Sequence, residues 1–425
     1  MAHKNHYQIL IIGGGTGGIM TSAKLLCERK GLDIGLIEPS DKHIYQPALT
    51  LVGAGTFKYE DTIRPERKYI PKGVDWIKDY ATRIDPDTNT VGTRENGDIT
   101  YDYLIVATGI KFELDKIEGL KETLGKNNVC SNYTDPRYTW EVLRNFKGGN
   151  AIFTQPATPI KCGGAPQKIM YLTADYLRRH HLADKSNVMF VTPGTVIFGV
   201  EIFAKRLHEI CDRYNIAQAY YSKPVKIDGP NKLVTFEMTG EQPELSEIHD
   251  KNPERFGVKT EGKRFTVPFD MLHLAPPQGP PDLVASSKIA HQHGEMKGWV
   301  EVDIHTLQHK RYPNVFCVGD SAGVPTARTG AAIRKQVPVA VKNLLKVMDG
   351  DTNLVPGYNG YSSCPIVTAY GKMLLAEFDY QNNHTPDPTL RKFLDLTKEH
   401  RALWILKKYG LPWLYWNMML RGKMM

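Results

Sequence analysis

The chain has few cysteines for its length, no long apolar run and almost no acid near its C-terminal end. Six cysteines in 425 residues are too few for a disulfide framework, so an intracellular, mostly reduced protein is expected. No uninterrupted apolar stretch approaches the roughly 18 to 20 residues that cross a bilayer. Only six residues precede the first strand-like run, so no signal or transit peptide is expected here. His180-His181 and the pair His291 and His293 lack carboxylates or cysteines at ligand spacing, so solvated histidines are expected rather than a metal site. Residues 391–425 hold eight Lys or Arg against two acids, which is +6 of the chain's net +8. The excess is local, and no nucleic-acid partner is expected.

With 41% hydrophobic residues, the chain has ample core for two or three domains. Its organising stretch is residues 7–38. Residues 8–12 form a buried-strand run, Gly13, Gly15 and Gly18 give G-x-G-x-x-G, residues 19–29 suit a helix, residues 34–37 form a second strand, and Glu38 follows. Strand, glycine turn, helix, strand and acid together predict a dinucleotide site. Backbone amides face a pyrophosphate at the helix N-terminus, and Glu38 can accept ribose hydroxyls. Gln46, ahead of a Gly-rich loop at 52–55, can reach the same cofactor; otherwise it lies on a surface loop. Residues 74–81 read as a strand and 84–91 as a hairpin turn. Residues 103–109 form a further buried strand whose ending, Ala107-Thr108-Gly109, lets backbone approach a cofactor. Residues 314–320 form a strand ending in Gly319-Asp320, with a helix opening at 325–332. Asp320 can bond a ribityl hydroxyl, and the helix terminus can polarise a flavin carbonyl.

A second nucleotide-binding unit should begin at residues 150–154. Where its fingerprint would follow, the chain reads QPATPIKCGGAP, and residues 193–199 also lack it, so the nicotinamide site is expected to be lost while the architecture stays. Cys162 stands in that place. Pro166 suits the first turn of a helix, which puts Cys162 just before a helix N-terminus, where the dipole and the adjacent Lys161 favour a thiolate. The alternative is a buried, inert cysteine. Residues 220–300 read as hairpins and loops. Cys27, Cys211 and Cys317 are expected to pack as small apolar side chains.

In the basic tail, residues 392–394 and 403–406 suit helix, Gly410-Leu411-Pro412 is expected to break it, and residues 413–420 are apolar up to Arg421. Three of the six tryptophans fall in the last 22 residues. Aromatics and cations around a segment too short to span suit a one-leaflet, amphipathic membrane anchor. The same segment can equally be core or a dimer contact, which leaves a homo-oligomer open.

Six motifs, GGGTGG, EPSDKHIYQP, IKCGGAPQKIMYL, YPNVFCVGDSAGVPTARTGAA, GYSSCPIVTAYGKMLLAEFDY and LPWLYWNMMLRG, together resemble the sulfide:quinone oxidoreductase family, in the branch with the mitochondrial enzyme and its bacterial relatives. The resemblance runs from about residue 5 to 422. It implies an α/β fold with two Rossmann-like nucleotide-binding domains and a C-terminal membrane-anchoring segment. The first domain would be 1–112 with 300–345, the second 113–299, and the redox-cysteine and membrane-binding region 346–425. It further implies that Thr16, Gly17, Glu38, Gln46, Ala81 and Asp320 contact FAD beside Gly13, Gly15, Gly18, Thr108 and Gly109, and that Cys162 and Cys364 are a redox pair. Hydrosulfide would attack their disulfide, or a sulfur-bridged form of it, leaving a persulfide on Cys364 and a Cys162 thiolate that adds to the flavin. Electrons would pass to membrane quinone, and the sulfur to a small thiol or to sulfide. The proline after Cys364 and the Gly-Gly after Cys162 would keep both sulfurs accessible. Location would be peripheral, on a bacterial cytoplasmic or processed mitochondrial inner membrane. Ser321 and Arg328 stand where the mitochondrial relative has cysteine and lysine, and Cys130 occupies a position used in another branch for flavin attachment or a third redox sulfur. Two other readings remain: a single-chain NADH:quinone oxidoreductase, opposed by the missing second fingerprint, and a flavin-bearing membrane scaffold without turnover.

Overall fold

The computed structural model describes residues 4–241 and 247–423. Its first sheet runs in the order Val74–Ile77, Ile34–Ile37, His6–Ile12, Asp98–Val106, Thr90–Thr93 and Ala81–Asp85, and Val315–Cys317 also pairs with Asp98–Val106. The long strand is shared: its start pairs antiparallel with Thr90–Thr93, and its end pairs parallel with Val315–Cys317. The first strands are parallel, and Ile9, Leu10, Ile11, Leu36, Leu104, Ile105 and Val106 are fully buried, as strands covered on both faces require. The helices Thr16–Glu28 and Gly330–Met348 pack against each other over this sheet.

The strand expected over 74–81 stops at Ile77, and Ala81 opens a separate hairpin strand. Asp79 causes the break. Its carboxylate accepts from the backbone N–H groups of Tyr80, Glu95 and Asn96 and from the Asn96 side chain, which ties the chain to a neighbouring turn. The Gly-rich stretch at 52–55 is likewise not simply a loop, because Leu49–Gly53 is helical.

The second sheet runs Val129–Cys130, Met271–His273, Gly149–Thr154, Ser186–Val191, Ile216–Ala219 and Ile248–His249, parallel except for the last pair. A four-stranded antiparallel sheet, Ser222–Asp228, Leu233–Met238, Arg264–Pro268 and Lys259–Glu261, accompanies it. The hairpin Ser362–Ala369 with Lys372–Phe378 packs on the helix Ala165–Arg179, which carries residue 364 to the helix N-terminus.

The tail departs from expectation in three ways. Residues 390–392 form only a single tight turn, after which Phe393 is exposed. Gly410-Leu411-Pro412 does not break the helix. Arg401–Ile405 runs through a π-turn, Leu406–Gly410, into Leu411–Asn417, and the Leu411 N–H reaches back to the Leu406 carbonyl. The wider turn absorbs the missing N–H and the ring of Pro412, which an α-turn would have to break around. Thirdly, the apolar run is divided. Tyr415, Trp416, Met419 and Leu420 are buried in the core of the first sheet, whereas Ile405, Tyr409 and Trp413, spaced four residues apart, are 50%, 62% and 59% exposed. Among the described residues no helix is long and apolar enough to cross a membrane.

Asp79 is held down to about 2; its own burial works against the charge, and the converging donors from residues 80, 95 and 96 overcome it. An acid held lower when folded stabilises the fold above its ordinary range and loses that contribution as pH falls through the folded value. Asp79→Asn should therefore cost about 1–3 kcal/mol at neutral pH, measured by denaturant unfolding. The gap to the parent should narrow as pH falls from about 4 towards 2.

Candidate redox and dinucleotide site

The glycine turn is built for close contact. Gly13 adopts φ +102, and a Cβ on Gly18 would strike the Gly13 carbonyl. At Gly15 and Gly109, by contrast, nothing lies within 4 Å of an added Cβ, so these edges face open space. The helix Thr16–Glu28 begins without a side-chain cap, leaving its first N–H groups directed at whatever anion binds there. Glu38 accepts from Gly14 N at 2.6 Å and Ser40 N at 2.7 Å, and burial pushes its carboxyl up. The Thr108 hydroxyl is buried without a partner. Uncapped amides, open glycine edges and an orphaned hydroxyl on one strand-end rim fit a dinucleotide. Gln46 is exposed in a short turn, and Ala81 opens its hairpin strand.

The C-terminal segment closes over this turn. The Tyr415 hydroxyl lies 2.7 Å from Thr16 Oγ1 and 2.6 Å from His43 Nε2, and His43 Nδ1 is 3.2 Å from Glu66 Oε2. Cys27 is exposed, contrary to the expectation that it packs as core; its place on the helix's outer face puts its sulfur 3.9 Å from the Arg421 carbonyl.

Cys162 and Cys364 come together, with their sulfurs 3.6 Å apart. Cys162 has φ +56, rare for a residue with a side chain. It is held there because its N–H donates to Arg328 O at 3.1 Å while its carbonyl accepts from Ala165 N at 2.8 Å. Lys161 N–H donates to Gln278 Oε1, and the Tyr133 hydroxyl donates to the Lys161 carbonyl. The expected accessibility of both sulfurs fails for Cys364, which is 2% exposed. Gly164 serves close packing instead: a Cβ there would collide with Cys364 Sγ.

The expected role of Lys161 also falls to a different residue. Lys161 pairs with Asp320 at 2.7 Å, because the two converge where the strand end meets the cysteine loop. The cation at the sulfur is Lys168, one turn into the helix and 3% exposed, whose Nζ donates to Cys162 Sγ at 3.1 Å. The Cys364 thiol, donating to Cys162, and then Lys168 hold Cys162 well below the usual thiol range; Cys364, beside that charge and buried, is pushed well up. Lys407, from the π-turn, is also buried and donates to Pro47 O at 2.8 Å. Burial, then the charge of Lys168, brings it down to about 7. In the sequence Lys168 was legible only as a lysine one turn past Pro166, and Lys407 looked like half of a solvated basic pair.

Among the remaining positions, Cys130, Cys211 and Cys317 are buried, and burial pushes each thiol up to about 12. Arg328 is buried over the Trp299 ring, its Nε donates to the Asp320 carbonyl at 2.7 Å, and burial lowers it to about 10. Ser321 Oγ lies 3.6 Å from Cys317 Sγ.

Cys162 is a thiolate above its lowered value and a thiol below it, so removing Lys168 must raise the midpoint. In the reduced protein, Lys168→Met should slow alkylation of Cys162 at neutral pH by about tenfold or more and shift its pH profile upward. Peptide mapping after iodoacetamide measures both.

The pyridine nucleotide-disulphide oxidoreductase family model matches residues 7–144. The chain is 39% identical to the mitochondrial sulfide:quinone oxidoreductase of Mus musculus, over 99% of this chain and 87% of that protein. It is 40% identical to that of Dictyostelium discoideum over the same shares of the two chains. The solved sulfide:quinone oxidoreductase of Aquifex aeolicus superposes with a TM-score of 0.76 at 22% identity, covering 99% of this chain and 92% of the other, which is a likeness of fold. With near-complete alignment at this identity to two such enzymes, the chain belongs to the sulfide:quinone oxidoreductase family.

Proposed function

We propose that this chain oxidises sulfide at the Cys162 and Cys364 pair and passes the electrons through FAD to a quinone. The observation that carries the reading is the asymmetry of the pair: two sulfurs 3.6 Å apart, with Lys168 Nζ donating to Cys162 at 3.1 Å and Cys162 held low while Cys364 is pushed up. Residues 1–112 with 300–345 would hold the cofactor, 113–299 would carry Cys162, and 346–425 would carry Cys364 and the membrane-facing surface.

In the oxidised chain the two sulfurs are bonded to each other. Thiol exchange breaks a disulfide so that the sulfur of lower pKa leaves. Lys168 makes Cys162 that sulfur, so hydrosulfide attacks Cys364 Sγ, giving a Cys364 persulfide and a Cys162 thiolate. A small thiolate or a second hydrosulfide then takes the outer sulfur and leaves a Cys364 thiolate. Re-forming the bond between the two thiolates releases two electrons and closes the cycle. FAD, when bound, supplies the two-electron acceptor that hands this pair on to quinone. Gly13, Gly15, Thr16, Gly17 and Gly18 would hold its pyrophosphate, and Glu38 its ribose. Thr108 and Gly109 would line the rim beside that turn, Asp320 would reach the cofactor from the end of the neighbouring strand, and Gln46 and Ala81 would lie at the margins. Lys168 holds its proton while the Cys162 thiolate stands beside it, whereas Lys407, brought down to about 7, can take or give one at Nζ.

The exposed row of Ile405, Tyr409 and Trp413, on a tail rich in Lys and Arg, supports docking on one leaflet of a bacterial cytoplasmic or mitochondrial inner membrane, where quinone resides. The buried half of the same tail fastens this row to the first sheet.

Anaerobic sulfide should bleach the flavin of the purified protein, and quinone should restore it. Cys162→Ser and Cys364→Ser should each abolish bleaching, and NADH should leave the spectrum unchanged. Bleaching by NADH with none by sulfide would favour the NADH:quinone reading, absence of any sulfide-dependent quinone reduction would favour a scaffold, and undiminished turnover in the serine variants would remove the cysteine pair from the chemistry. Tyr415→Phe, which removes the hydroxyl shared by Thr16 and His43, should release flavin several-fold more readily on gel filtration. Trp413→Ser with Tyr409→Ser should lower vesicle binding about tenfold or more, the size expected for uncovering two large apolar side chains.

A further inference from the structure

At the far end of the cysteine helix, a cleft of about 720 Å³ lies between that helix, the turn of the 362–378 hairpin and the tail helix. Arg179, Lys372, Arg401 and Lys408 line it, together with Trp404 and Tyr409. Its one acidic lining residue, Glu399, is already engaged: Arg213 grips both its oxygens at 2.6 and 2.8 Å, and Thr368 donates to it as well. Lys372 is 3.9 Å from that carboxylate and half-exposed. Arg179 is half-exposed too, although it bonds Asp175 and the Tyr370 carbonyl. The cleft is therefore strongly cationic, and its positive charge is not balanced from within.

Its position separates it from the sulfur chemistry. The helix Ala165–Arg179 is 15 residues long, about 22 Å at 1.5 Å per residue, with the cysteines at one end and Arg179 at the other. The cleft shares its rim with the exposed apolar row instead, since Ile405 and Tyr409 belong to both. We propose that this cleft binds the phosphate headgroup of an anionic membrane lipid. The inference rests on the membrane-facing reading of the tail: with Ile405, Tyr409 and Trp413 at the acyl boundary, the cationic side chains lie at headgroup depth. Arg179 and Arg401 offer several donors each to phosphate oxygens, while Lys372 and Lys408 add point charges. Trp404 and Tyr409 cover the lipid's apolar flank. Charge complementarity and continuity with the apolar row favour a lipid over an acidic protein.

The test uses the full, flavin-loaded chain in sedimentation with vesicles of phosphatidylcholine alone or mixed with phosphatidylglycerol, at physiological salt. The mixed vesicles should bind more tightly. Lys372→Gln with Arg401→Gln should weaken binding to them roughly ten- to thirtyfold and leave binding to neutral vesicles in place. Lys259→Gln with Lys263→Gln removes equal charge from the distant four-stranded sheet and should keep the preference. Thermal unfolding shows whether each variant is folded, and charge reversal, Lys372→Glu with Arg401→Glu, should deepen the loss. Equal binding to both vesicle types, or equal losses in the two charge-neutralised variants, would overturn the cleft as the site. Inorganic phosphate that raises the melting temperature of the parent but not of the Lys372→Gln, Arg401→Gln variant, with no vesicle preference, would assign the cleft to a soluble anion and overturn the lipid. Binding to no vesicle at all would overturn the membrane reading as well.

Discussion

A buried ammonium needs a negative partner, and here the partner is sulfur. Lys168 is almost fully enclosed and meets Cys162 Sγ at 3.1 Å. A charge withdrawn from water is strongly disfavoured unless another group compensates it, so the lysine and the thiolate sustain each other. The surrounding chain serves that pair. The uncapped start of the cysteine helix lies beside it, Gly164 leaves room for Cys364, and the 362–378 hairpin holds Cys364 in place. This contact, together with the hydrogen bond from Cys364, makes the two cysteines unequal, and the proposed direction of sulfur transfer follows from that inequality.

The C-terminal segment links regions that are distant in sequence. Tyr415 touches the first turn of the nucleotide-binding helix, Lys407 enters the field of Cys162 and Lys168, and Trp413 faces outward. The π-turn makes these directions compatible. An extra residue within the turn rotates the following helix, so that Lys407 points inward while Tyr409 and Trp413 stay exposed and Tyr415 and Trp416 reach the core. The exposed apolar row, the contact with the glycine turn and the sulfur electrostatics thus share one short stretch of chain, and movement of this segment would be felt at all three.

Much of the fold was legible because its signals are local. The run at 8–12, the spacing of Gly13, Gly15 and Gly18, and the strand at 34–37 each follow from residues close in sequence. The Asp79 turn was hidden, since the donors that end the strand come from residues 95 and 96. At the site, the sequence offered Cys162 beside a helix start and, through family resemblance, Cys364; the 3.6 Å approach of the two was not readable across a sequence separation of 202. The adjacent Lys161 was a natural choice for the thiolate's cation, yet it turns to Asp320 while Lys168, six residues past Cys162, points back at the sulfur. The tail misled for a related reason: apolar content does not say which face is buried, and Pro412 signals a break only where no π-turn can form.

Locating the first sulfur bond tests the central claim most directly. The protein is exposed anaerobically to one equivalent of sulfide, trapped with an alkylating agent and digested, and the peptides are weighed. The expected result is one added sulfur on the Cys364 peptide, with Cys162 unmodified by sulfur. An added sulfur on Cys162, or on neither cysteine, would contradict the direction that Lys168 is argued to impose.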